Sequence, residues 1–198
     1  MPPRSIVLVS ASPRRSELLR LAGLEFTVRP VDIDETPRPG EPPAPLALRL
    51  ARSKALALPA PTAPALAIAA DTIVAVQEQV LGKPRGTEDA RRMLHKLSGR
   101  THDVITAIAL RLLPEDSITC ESTVSRVTFS PMSDEEIDWY VATREGMDKA
   151  GAYALQGVGA LFIRSISGSY TNVIGLPLES LYPHLRRHGL LPSPPSRR

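Results

Sequence analysis

Ser10, Arg14 and Arg15 fall together in Ser10-Ala11-Ser12-Pro13-Arg14-Arg15, between the apolar run Ile6-Val7-Leu8-Val9 and a stretch carrying Leu18, Leu19 and Leu21. The pattern reads as strand, tight turn and amphipathic helix. Ser12 suits the N-cap and Pro13 the first helical position. Arg14 and Arg15 then meet the positive end of the helix dipole, unfavourable by roughly 0.3–1 kcal/mol each. An anion bound there reverses the sign, and free amides, hydroxyls and guanidinium forks together suit a phosphate. The plainer alternative is a solvated helix start with both arginines turned away.

Other residues stand out against their surroundings. Asp71 follows Leu66-Ala67-Ile68-Ala69-Ala70, and a carboxylate in a buried strand is costly unless paired or metal-bound. An exposed hairpin edge is the alternative. On a helical wheel, Leu46, Ala47, Leu50, Ala51, Ala57 and Leu58 share a face with Lys54 at its centre, and Arg49, Arg52 and Ser53 lie opposite. Such a lysine either snorkels or enters a charged site. Lys83 sits between Gly82 and Pro84, and Glu35 lies in an acidic, proline-rich loop. Turn and surface charges of this kind are common. His102 opens a strand and reads as a satisfied, half-buried histidine. Gln156 lies in a segment, Asp148 to Gly157, that combines an ion pair, an aromatic and an amide able to read a base edge.

These residues need a scaffold. The pattern predicts strands at 5–10 and 25–29 around a helix at 13–22, then a loop at 30–45. A helix at 45–58 follows, and an apolar strand over 65–76 interrupted at Asp71-Thr72. A turn at 77–79 returns through Val80-Leu81. Next come a helix at 87–97, a hairpin of strands at 101–112 and 117–130, and a helix at 133–143 opened by a Ser133/Glu136 capping box. A glycine-punctuated loop at 144–159, a strand at 160–167 and a helix at 177–187 complete the chain. The expectation is an α/β fold with a twisted, mixed sheet flanked by helices, over one domain of residues 1–190, with 191–198 a disordered tail.

The chain has 198 residues, 42% hydrophobic and 23% charged, ordinary for a soluble globular protein. A net charge of +3 fits an anionic small molecule but is too weak to argue for nucleic acid. One cysteine, Cys120, excludes an internal disulfide and a cysteine-based zinc site. No apolar run approaches membrane-spanning length, so the expected location is cytoplasmic, with no membrane partner. A P-loop is absent, and Gly157-Val158-Gly159 lacks the third glycine and the helix of a dinucleotide fingerprint.

In order, the segments Ser10-Ala-Ser-Pro-Arg-Arg15, the Glu35 loop, the Lys54 helix, Ala70-Asp-Thr-Ile-Val74 and Leu81-Gly-Lys-Pro84 resemble the Maf family of nucleoside triphosphate pyrophosphatases. Leu97-Ser-Gly-Arg-Thr-His102 with Thr106, Asp148 to Gly157, and Gly168-Ser-Tyr-Thr-Asn-Val-Ile-Gly-Leu-Pro177 extend the resemblance over about residues 5–187. Each motif alone is modestly specific; the ordered set is highly so. The resemblance implies a Maf/ITPase-like fold with a central nucleotide cleft. It implies hydrolysis of dTTP and UTP, or modified pyrimidine nucleotides, to the monophosphate and pyrophosphate. Asp71 matches the catalytic proton acceptor. Arg14, Thr72 and Gln156 match positions tied to substrate choice, and Ser10, Arg15, Lys54 and Lys83 match phosphate-binding positions. Glu35 and Asp71 are expected partners of a divalent cation, Mg²⁺ or Mn²⁺. A homodimer is compatible with the resemblance. Two alternatives stay open: the same reaction on 7-methyl-GTP, and a nucleotide-binding inhibitor of septum formation without turnover. Val9 in place of a commoner alanine, and Gln77-Glu78-Gln79 in place of an Asn-Gly turn, depart from the family without touching the chemistry.

Overall fold

A computed structural model describes residues 5–59 and 63–191. Seven strands form one sheet: β1 (Ser5–Leu8), β2 (Thr27–Val28), β3 (Ala65–Val76), β4 (Gln79–Leu81), β5 (Thr101–Leu113), β6 (Ser117–Phe129) and β7 (Ile163–Ser167). Their order is β2-β1-β3-β5-β6-β7, with β4 beside β3. β1 runs parallel to β2 and β3; the pairs from β3 through β7 are antiparallel. The mixed α/β expectation therefore holds. Among the described residues no helix is long and apolar enough to cross a membrane.

Period-2 alternation along the long strands divides the core. Ala65, Ala67, Ala69 and Ile73 of β3, with Ile105, Ala107 and Ala109 of β5, pack against the helix α2 (Pro43–Ala57). Leu66, Ile68 and Ala70, with Ile108 and Leu110, face the other way, toward the helices α1 (Pro13–Leu21) and α6 (Leu178–Arg187). Farther along that second face, Val74, Val76, Val104 and Val127 meet the helices α3 (Thr87–Leu97) and α4 (Asp134–Ala142). Along one edge of β3, β1 covers residues 65–68 and β4 covers 74–76. The stretch between them is left open on that edge, at the carboxyl end of β1, where ligands of open α/β sheets gather.

Several local expectations shift. α2 begins at Pro43, not Pro45. Prolines at 43 and 45 fit its first turn because the N–H groups there have no helical partner, and the first helical bond runs from Leu46 N to Pro42 O at 3.0 Å. Its buried stripe is Leu46, Ala47, Leu50, Ala51 and Ala55, and Ala57 is exposed. β3 is continuous through Asp71 and Thr72, which pair with Ala107 and Thr106. Ser12 makes no side-chain cap bond at α1; instead Ser10 Oγ accepts from Ser12 N at 3.1 Å. The last strand starts at Ile163, after a 3₁₀ turn at Val158–Phe162. A short helix, α5 (Tyr170–Ile174), lies where no element was expected. The Ser133/Glu136 capping box forms as read, and residues 192–198 lie outside the described residues.

Candidate active site

The open stretch of β3 places Asp71 and Thr72 on opposite faces of the sheet. Asp71, in step with Ala67 and Ala69, faces α2 and receives Lys54 Nζ at 2.6 Å. Lys54 Nζ also meets Glu35 Oε1 at 2.6 Å, so one ammonium bridges two carboxylates. This is the partner that lets a carboxylate sit in a buried strand. The core-facing position of Lys54 on α2 thus leads into a charged site. Asp71 Oδ2 makes no hydrogen bond among the described residues, which leaves it open to water.

Thr72, in step with Ile68 and Ala70, faces α1. Its hydroxyl accepts from Arg15 Nη2 at 3.1 Å. Arg15 Nε donates to the Gly175 carbonyl at 2.8 Å and Nη1 to Ser10 Oγ at 3.2 Å. Three guanidinium N–H groups are engaged, leaving one on each terminal nitrogen for an anion. Gly175 closes α5 with φ of +123°, and a Cβ there would stand 3.3 Å from Thr72 Oγ1. Glycine therefore serves both the backbone turn and the close approach.

Ser10, Arg14, Arg15, Glu35, Lys54, Asp71, Thr72, Lys83 and Gln156 all line one cleft of about 630 Å³, the size of a small-molecule site. Lys83 and Gln156 are exposed, and neither makes a hydrogen bond among the described residues. Arg14 Nη1 lies 3.8 Å from Asp148 Oδ2, a loose pair, while Lys149 holds Asp148 more closely at 2.5 Å. Burial works against the Glu35 charge, but the hydrogen bond and charge of Lys54, then Lys83 and Arg15, outweigh it and hold the carboxyl below its ordinary value. Burial lowers the Arg15 pKa against the pull of Asp71, from a starting value so high that the guanidinium stays charged.

The segment across the cleft is held from behind. Glu145 accepts from Val158 N and Gly159 N, both at 2.8 Å, and from Tyr140 Oη at 2.8 Å. Tyr140 Oη in turn accepts from Ala154 N at 3.1 Å. Gly151, at φ of +73°, donates to the Gly82 carbonyl at 3.1 Å, and a Cβ there would come 2.9 Å from Val74 Cγ1. His102 is buried deeper than a half-buried histidine. Its Nε2 lies 2.8 Å from Tyr153 Oη, its Nδ1 has no partner among the described residues, and burial pushes its pKa down to about 4. It packs edge-on against Phe129 and Tyr153. Sequence reasoning gave no role to Glu145, Tyr140, Asn172 or Gly175. The last two lie inside a segment singled out only as part of a motif; the first two carried no pattern.

Among the described residues no trio of His, Cys, Asp or Glu gathers as a self-sufficient metal cage. Glu35 and Asp71, drawn to one ammonium, nevertheless offer hard oxygen donors. They fit a cation that keeps several waters and takes phosphate oxygens from its substrate.

An α/β sheet opened at a strand end, with paired cations on either side of an accessible carboxylate, is the layout of a protein that handles phosphorylated small molecules. Residues 5–188 match the family described as Maf-like protein, and the chain belongs to that family. It is 53% identical over 186 residues to a dTTP/UTP pyrophosphatase of Geobacter sulfurreducens, covering 94% of this chain and 97% of that one. Similar proteins of the same name occur in Anaeromyxobacter sp. (49% over 187 residues; 93% of this chain, 89% of that one) and Myxococcus xanthus (47% over 185 residues; 93% of each).

Proposed function

We propose that the chain is a nucleoside triphosphate pyrophosphatase that cleaves dTTP and UTP between the α- and β-phosphates, releasing the monophosphate and pyrophosphate. The observation that carries this reading is Asp71, with one oxygen on Lys54 and the other open, beside the anchored fork of Arg15. Asp71 accepts a proton from the attacking water as its oxygen bonds to the α-phosphorus and the bond to the bridging oxygen breaks. Arg15, Lys54, Lys83 and Ser10 hold the phosphates and offset charge developing on the leaving pyrophosphate. Glu35 and Asp71 would hold a divalent cation, Mg²⁺ or Mn²⁺, which would supply charge neutralisation for the phosphates. Gln156 and Arg14 bound the base pocket. Thr72 contributes to substrate choice through shape, because its hydroxyl is already engaged with Arg15 and Thr106.

The names of the relatives support the choice of dTTP and UTP. The test is pyrophosphate release from a nucleotide panel with Mg²⁺ or Mn²⁺. The expected result is turnover of dTTP and UTP. Release only from 7-methyl-GTP would keep the reaction and overturn the base assignment. Tight binding without release from any nucleotide would overturn the enzymatic reading in favour of a nucleotide-responsive regulator of septum formation.

A further inference from the structure

Asn172 is fully buried, and its contacts fix the direction of every bond around it. Its Nδ2 donates to the Val104 carbonyl and to Ser125 Oγ, both at 2.9 Å, and its Oδ1 accepts from Thr106 N at 3.1 Å. A carbonyl only accepts and an amide N–H only donates, so the side-chain amide has one orientation. It engages β5 as the peptide of a neighbouring strand would. Its backbone carbonyl receives Thr106 Oγ1 at 2.9 Å and Gly175 N at 2.9 Å.

Thr106 has one hydroxyl proton, and it goes to that carbonyl. Thr106 Oγ1 therefore accepts from Thr72 Oγ1, 3.0 Å away. Thr72, having given its proton to Thr106, accepts from Arg15 Nη2 at 3.1 Å. Arg15 Nε donates to the carbonyl of Gly175, whose N–H returns to Asn172. The bonds close a ring through Arg15, Thr72, Thr106, Asn172 and Gly175, with both arms running from the guanidinium to one carbonyl. Reversing any single bond would set two donors or two acceptors against each other.

We infer that Thr106 and Asn172 are positioning residues that fix the plane of the Arg15 fork through Thr72 and Gly175. The inference rests on the phosphate role given to Arg15. A fork held in plane presents its two remaining N–H groups as a bidentate pair, and the gain appears in the transition state, where charge builds on the leaving group. The Arg15→Lys variant keeps the charge but has no fork to orient.

The experiment measures kcat and KM for dTTP, with the unfolding midpoint beside them, for Thr106→Val, Thr106→Ser, Arg15→Lys and the Arg15→Lys/Thr106→Val double variant. Thr106→Val is expected to fold, since Gly175 N still satisfies the Asn172 carbonyl. It should lower kcat on the order of ten- to a hundredfold with a much smaller change in KM. Thr106→Ser restores most of kcat, and Thr106→Val adds little in the Arg15→Lys background. The proposal is overturned if Thr106→Val keeps the wild-type kcat, or if its cost is undiminished in the Arg15→Lys background. Should Thr106→Val not fold, Thr72→Val tests the next link in the same background with the same two readings. If the wild type hydrolyses no nucleotide, the proposed function has failed and the ring is read from pyrophosphate affinity. Weakening by about tenfold in Thr106→Val supports the inference, and equal affinity overturns it.

Discussion

At the open stretch of β3 beside the carboxyl end of β1, three of the four side chains proposed to touch phosphate are themselves tied down, and the fourth, Lys83, is exposed without a hydrogen bond among the described residues. Arg15 has three partners, Lys54 has two carboxylates, and Ser10 has both Ser12 N and Arg15. Across the cleft the order is reversed. Glu145, Tyr140 and His102 hold the backbone and back of residues 148–159, but Gln156 is exposed and Arg14 has only a loose ion pair. One end has mostly fixed reading groups; the other has a fixed platform with adaptable reading groups. A triphosphate is the same in every nucleotide, so preorganised donors serve it. A base varies, so an exposed amide on a tied-down platform serves it.

The largest expected effect breaks the fixed end. Asp71→Asn keeps the volume and an acceptor for Lys54 but removes the proton acceptor. Pyrophosphate release from dTTP should fall about 10²–10⁴-fold with the unfolding midpoint little changed. Activity retained by this variant would remove Asp71 from the chemistry. Lys54→Met comes next, with a loss of about 10²–10³ in kcat and, by titration, a Glu35 carboxyl returned upward.

A third prediction tests the platform by pH. His102 is held neutral by burial, with its pKa lowered from 6.5 to about 4. Between those values the unfolded chain binds the proton and the folded one does not. Stability should therefore fall as pH drops from 6.5 to 4, by up to about 3 kcal/mol. Urea unfolding at several pH values checks this, and His102→Gln should flatten the profile above pH 4.5. The smallest effect sharpens the comparison at the adaptable end. Gln156→Ala should keep turnover and stability while changing the relative rates on dTTP, UTP, CTP and GTP by about tenfold. Unchanged ratios would remove Gln156 from base selection.

Much of the fixed end was legible in the sequence because its residues violate local rules. A lysine on a core stripe, an aspartate in an apolar strand and arginines at a helix start each demand an explanation that only partners provide. The platform was not legible in this way. Glu145 follows a turn and looks like any surface acid, and its work is done by accepting amides from Val158 and Gly159. Asn172 belongs to a five-residue helix whose hydrogen-bond partners lie on β5 and β6, far off in sequence. The strand expected to break at Asp71-Thr72 stayed whole for the same reason: the partners that accommodate those side chains come from α1 and α2.

The bond from Gly151 to the Gly82 carbonyl sets a boundary on how such an enzyme can diversify. It joins the start of the segment proposed to bound the base pocket to the turn that carries Lys83. A side chain at 151 would collide with Val74 and strain a left-handed backbone. On the proposed roles, a descendant that exchanged the whole segment for one suited to another base would drag Lys83 out of register. New substrate preferences are therefore most readily acquired downstream of Gly151, where residues such as Gln156 can be rewritten without disturbing the inherited chemistry.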